Sequence, residues 1–172
     1  MTSPKIFSLS GLECTAVGPA PTLSMGFGPR LNLITGDNGL GKTFLLHTVW
    51  WTLTGAWVGK QPAVPFGAAP AGPMKAEIRP LVDGEPLAPA TFNPRRDRWE
   101  RPHDWPTTDA LVIYARVDGG FSVWDPEVMG EGDPQSSALD ISRQELWDRV
   151  ERDDVVLCNG LLIDWFQWQS RH

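Results

Sequence analysis

Cysteine is nearly absent: Cys14 and Cys158 are the only two in 172 residues, and nothing in their spacing resembles a set of metal ligands. Such a pair excludes a disulfide framework and reads as two reduced packing thiols of a cytosolic protein. Long apolar runs are missing too, none approaching the ~18 residues a membrane helix requires. The start, Met-Thr-Ser-Pro-Lys, lacks the apolar core of a signal peptide, so a cytoplasmic location is expected, with no membrane partner. A basic balance is also lacking. The formal charge is −6, and the excess acid lies in residues 125–154, where ten carboxylates face three arginines. That distribution gives no electrostatic footprint for sequence-independent nucleic-acid binding. No internal repeat is visible.

The apolar content of 41% and charged content of 21% are those of a chain able to bury a core, so disorder is excluded. Nine tryptophans are many for this length and point to packing or to an interface. Ile6 to Cys14 and Leu23 to Thr35 read as strand material on either side of the turn Gly18-Pro19-Ala20-Pro21. The last part, Leu31 to Thr35, is expected to be a short apolar strand entering Gly36. Residues 43–54 read as a buried helix, apolar around most of its circumference, with Gly55 as its left-handed C-terminal cap. His47 falls within it as a packing histidine.

Further on, residues 59–73 read as loop, and Lys75 to Val82 as a strand turning at Asp83-Gly84 and placed at an edge by Pro80. The Pro-, Arg- and Trp-rich stretch 93–106 is expected to be irregular. Ala110 to Val117 and Phe121 to Trp124 flank Asp118-Gly119-Gly120 as a second hairpin. Residues 125–139 read as loop. Ser142-Arg143-Gln144-Glu145 is a capping box opening a short helix that carries Leu146, Trp147 and Val150. Leu161, Leu162, Trp165, Phe166 and Trp168 recur at helical spacing, an aromatic face with no later element to cover it.

The chemistry concentrates in Gly36-Asp37-Asn38-Gly39-Leu40-Gly41-Lys42-Thr43. It matches the phosphate-loop (Walker A) pattern G-x-x-x-x-G-K-[ST] between an expected strand and an expected helix. Gly36, Gly39 and Gly41 allow positive φ and close approach of backbone to phosphate. Successive amides, Leu40's among them, then converge at the positive end of the helix. Lys42 suits the β- and γ-phosphates of a nucleoside triphosphate, and the Thr43 hydroxyl suits Mg²⁺. Lys42 and Thr43 are therefore the catalytic candidates. Asp37, Asn38 and Phe44 complete the candidate nucleotide-binding set.

The stretch from Phe27 through Thr43 resembles the N-terminal lobe of ABC-type ATPases of the RecF/SMC/OLD-like branch, often described as AAA-family ATP-binding proteins. The Asn38-Gly39 pair, the antiparallel strands before the loop and the hairpins after its helix are shared. Phe44, where transporter ATPases usually carry a second hydroxyl residue, favours the non-transporter branch. The resemblance implies an α/β fold of α+β character, a P-loop NTPase lobe with antiparallel hairpins beside the P-loop strand and helix. It implies ATP and Mg²⁺ as cofactors and a nucleotide sandwiched against a second ATPase half or a homodimer partner. DNA would be engaged only through the complete assembly. Gln167 or Gln169 is the candidate for a further Mg²⁺-site glutamine.

The rest of that machinery is not legible. No Leu-Ser-Gly-Gly-type signature occurs. Leu161-Leu162-Ile163-Asp164 superficially resembles a Walker B strand, but Trp165 stands where a glutamate belongs and the stretch reads better as helix. His103 and His172 have no motif context. One ATP-binding lobe over 1–172 is expected, with a core at 1–58, hairpins at 59–124 and an acidic segment at 125–172. The catalytic half is expected to be missing, as in a fragment or split gene product. Two alternatives stand beside it. A small P-loop kinase would use Arg95, Arg96, Arg98 and Arg101 as a lid. A nucleic-acid interaction module would combine the same arginines with Trp99 and Trp105 as stacking platforms.

Overall fold

The computed structural model describes residues 8–65, 75–103, 105, 107–129, 138–152 and 154–170, with backbone alone at 128, 129, 157 and 158. They are mixed α and β, all paired strands are antiparallel, and they divide into two compact units, 1–110 and 111–172. The boundary falls inside the 59–124 segment that the sequence groups as one hairpin region.

The first unit is built on a six-stranded sheet. Strand β1 (Leu9–Thr15) forms a hairpin with β2 (Thr22–Gly26) and pairs on its other side with β3 (Glu77–Val82). The path continues through β5 (Ala90–Asn93) to β6 (Arg98–Glu100), while β4 (Glu85–Pro86) pairs with β3 beyond the Asp83-Gly84 turn. Alternation along β1 buries Leu12 and Cys14 and leaves Glu13 half-exposed. Burial pushes the Cys14 thiol up to about 12, so it packs as an inert apolar group.

Helix α1 (Lys42–Thr54) contributes Leu45 and Trp51 to the core over this sheet, and Gly55 caps it in the left-handed conformation with its N–H on Trp51 O. Buried Thr48, Thr52 and Thr54 each return their hydroxyl to a carbonyl of their own helix, which satisfies them without polar partners from the sheet. Trp51 lies at the centre of an aromatic cluster with Trp57, Trp99 and Trp105.

Several sequence expectations are corrected here. Leu31 to Thr35 is not a strand: no described strand pairs with it, and Leu31 and Leu33 are 87% and 86% exposed. Without a neighbouring strand, apolar alternation has no hydrogen-bond ladder to join. Pro80 does not mark an edge, because β3 is flanked on both sides. It is tolerated because β5 pairs with β3 only at Glu77 and Ile78, and β4 only at Leu81 and Val82. The missing N–H thus falls in the gap between them, where Pro80 O accepts from Leu87 N (2.9 Å). Residues 93–106 are not wholly irregular, since Asn93 to Glu100 closes the β5–β6 hairpin.

In the second unit, β7 (Val112–Ala115) and β8 (Phe121–Trp124) form the expected hairpin, joined by β9 (Leu139–Ile141). Arg116 ties the three together through Asp140 (3.2 Å), Ile141 O (3.0 Å) and Asp118 (3.3 Å). Helix α2 (Pro126–Met129) is a single turn within the expected loop. The capping box is present and opens α3 (Arg143–Asp148). Val150 leaves that helix for β10 (Val150–Arg152), which pairs with β11 (Val155–Cys158) in a hairpin that the sequence reading missed. Helix α4 (Leu161–Gln169) buries none of its residues, so the bare aromatic face is real, and the Walker B-like strand at 161–164 is excluded.

Glu145 links the cap to β10. It pairs with Arg152 (2.6 Å) and accepts from Ser142 N (2.8 Å), and these contacts, Arg152 foremost, hold its carboxyl down to about 2. A folded pKa below the unfolded value of 4.5 gives stability that is fully present above pH ~4.5 and lost as pH falls through about 2. The stability gap between wild type and Glu145→Gln should therefore be constant from pH 7 to 5, narrow below that, and vanish near pH 2. Thermal unfolding followed by circular dichroism checks it, and a gap independent of pH would remove the role assigned to this pair.

Candidate functional site

The loop Gly36–Thr43 joins the unpaired segment at 31–35 to the first turn of α1. Gly36, Gly39 and Gly41 all have positive φ (148°, 86° and 87°), as the glycine spacing predicts. Gly41 is the N-cap, and its carbonyl accepts the first helical bond from Leu45 N (2.9 Å). No side chain caps the helix and no acidic residue occupies its first turn. The amides of Lys42, Thr43 and Phe44 therefore face outward with the positive end of the helix dipole behind them.

A Cβ at Gly41 would collide with the Pro19 ring. The Gly18-Pro19 turn between β1 and β2 thus packs directly under the loop, and Phe44 leans on the same turn. This contact anchors the loop's last glycine to the sheet. It was not legible in the motif, because it joins residues more than twenty positions apart.

The Lys42 side chain bends back over the loop, its Nζ donating to Gly36 O (2.6 Å) and Asp37 O (2.7 Å). Asp37, Asn38, Gly39, Leu40 and Thr43 are all exposed, so the loop is open to solvent. Such a site offers an ammonium, free helix-end amides and a hydroxyl to an anionic ligand.

Gln167 and Gln169 lie exposed on α4 in the second unit. His47 is half-buried in α1 and His103 is exposed. His172 lies outside the described residues. Among the described residues there is no cluster of three or more His, Cys, Asp or Glu able to hold a metal ion by themselves, and no helix is long and apolar enough to cross a membrane. Trp99 and Trp105 are not stacking platforms. Both rings are buried, and their indole N–H groups are committed to Ala63 O (2.8 Å) and Thr52 O (3.1 Å). Nor do the arginines form a kinase lid: Arg98 is in β6, Arg101 packs on Trp51, and no described strands alternate with helices in parallel.

No protein family matches the chain, and neither a curated protein nor a solved structure matches it.

Proposed function

We propose that this chain binds ATP with Mg²⁺ through Gly36–Thr43, as the nucleotide-binding lobe of an ABC-type ATPase of the RecF/SMC-like branch. The observation that carries the proposal is the loop geometry: three positive-φ glycines, an uncapped helix start and Lys42 folded over the loop's own carbonyls. A triphosphate fits this donor set. It would take the outward amides and, by displacing the two carbonyls, the Lys42 ammonium. Mg²⁺ fits the exposed Thr43 hydroxyl and would neutralise charge on the phosphate oxygens.

Hydrolysis also needs a group that orients the attacking water, and this reading assigns that group to a second ATPase half. The unpaired Leu31–Thr35 segment beside the loop supports completion by a second ATPase half, since exposed Leu31 and Leu33 would be buried by an added strand. The complete assembly, rather than this lobe, would engage DNA.

Calorimetric titration of the full chain with ATP and Mg²⁺ tests this. Saturable one-to-one binding is expected, with phosphate release slower than about 10⁻³ s⁻¹, the range of P-loop proteins lacking their trans-acting group. Absence of binding at millimolar nucleotide would sink the proposal. Rapid turnover would instead reject the dependence on a second half.

A further inference from the structure

The other end of α1 meets a guanidinium with an Nη1 that has no acceptor among the described residues. Arg101 follows β6 and lays its guanidinium over Trp51, 5.8 Å from the ring centroid, and against Gly55. A Cβ at Gly55 would fall 2.5–2.9 Å from the guanidinium atoms, so a side chain there would displace the arginine head from this position. Arg101 Nη1 is sealed from solvent with no acceptor among the described residues.

The helix end does not supply one. Trp50 O already accepts from Thr54 Oγ1, Trp51 O from Gly55 N, Thr52 O from Trp105 Nε1, and Leu53 O from Thr108 N. Guanidinium stays charged even where burial lowers its pKa, as at Arg101, and a buried charged donor left unpaired is costly. Such an orphan in a folded protein calls for a water, an ion or a ligand.

A cavity of about 610 Å³ opens beside it, lined by Arg96, Arg98, Trp99, Glu100, Arg101 and His103 among others. Among the described residues Glu100 is the only carboxylate in that lining, and its Oε1 is already shared by Arg96 (3.3 Å), Arg98 (4.0 Å) and Asn93 Nδ2 (2.9 Å). Among the described residues, three guanidinium groups stand against one carboxylate there, a positive balance. Planar guanidinium forks match the oxygens of a phosphate, and several together favour its higher charge over a single carboxylate. Because the neighbouring indoles are buried and bonded, the cavity would read charge and not a base.

We propose that this cavity is a second anion site, taking a phosphate-class ligand: a free phosphate or phosphomonoester, or a phosphodiester of a polymer backbone. It is separate from the glycine loop, since the thirteen residues of α1 set the two ends about 18 Å apart. It does not depend on nucleotide binding at that loop.

The test uses the full chain carrying Lys42→Ala, which removes the lysine of the other site. Inorganic phosphate and an abasic deoxyribose-phosphate oligomer are titrated separately while the arginine Nε–Hε resonances are followed by NMR. Either probe should shift the Arg101 resonance saturably. Arg96→Ala/Arg98→Ala, two exposed changes, should weaken that binding about tenfold or more, and Arg101→Gln should abolish it. The double variant decides the matter if Arg101→Gln does not fold. An oligomer binding at least about tenfold more tightly than phosphate, with steep salt dependence, identifies a polymer backbone as the ligand source; comparable affinities identify a free phosphate. An Arg101 resonance unmoved by both probes, or affinity unchanged in the double variant, overturns the proposal.

Discussion

Lys42→Ala should lower the affinity for ATP at least about 100-fold while leaving the unfolding temperature almost unchanged. The Nζ makes two short hydrogen bonds, to the carbonyls of Gly36 and Asp37, and both acceptors are exposed. Breaking them costs the fold little, because those carbonyls can turn to water. The same ammonium, moved onto phosphate oxygens, would make charge-assisted bonds worth about 1.5–3 kcal/mol each. Two such bonds correspond to a factor of about 100 or more. Calorimetric titration of the variant beside wild type checks the affinity, and a thermal melt checks the fold. Unchanged affinity with an intact fold would place the nucleotide elsewhere on the molecule.

The features legible in the sequence are those decided by short-range chemistry. The glycines of the loop, the helix after it, the Gly55 cap, the Asp83-Gly84 and Asp118-Gly119-Gly120 turns and the Ser142 box all follow from local backbone requirements. Partner-dependent features were not legible. Leu31 to Thr35 carries strand chemistry, but a strand exists only with a neighbour, and no described strand lies beside it. Pro80 was misplaced for the related reason that its tolerance depends on where β4 and β5 leave a gap. Residues 93–106 read as irregular because their proline, arginine and tryptophan content hides a hairpin closed by Phe92 opposite Trp99.

The candidate site divides along the same line. The loop itself was readable, whereas its support by Pro19 and the packing of Trp99 and Trp105 are tertiary facts. Burial turned two expected stacking platforms into core and left Arg101 Nη1 without an acceptor among the described residues. An alternation of arginine and tryptophan in sequence therefore says little about nucleic-acid stacking until the indole N–H groups are accounted for.

That aromatic core carries the largest expected effect on stability. Trp51 is 3% exposed, stacks on Trp57 at 4.6 Å with an 11° interplanar angle, and lies 6.0 and 5.7 Å from Trp99 and Trp105. Truncation to alanine should cost about 3–5 kcal/mol, from lost transfer energy and a cavity that three rigid neighbours cannot fill. Against a typical stability of about 5–15 kcal/mol this is enough to unfold the first unit under mild denaturant. It would also remove the surface on which Arg101 rests. Urea denaturation monitored by near-ultraviolet circular dichroism, which reports coupled indoles, should show the midpoint falling sharply. Leu33→Ser is the matched control: although Leu33 is as apolar as a core residue, its 86% exposure predicts almost no change. Equal losses in the two variants would mean that the segment at 31–35 is covered in solution, and that this unpaired stretch beside the loop has already found a neighbour.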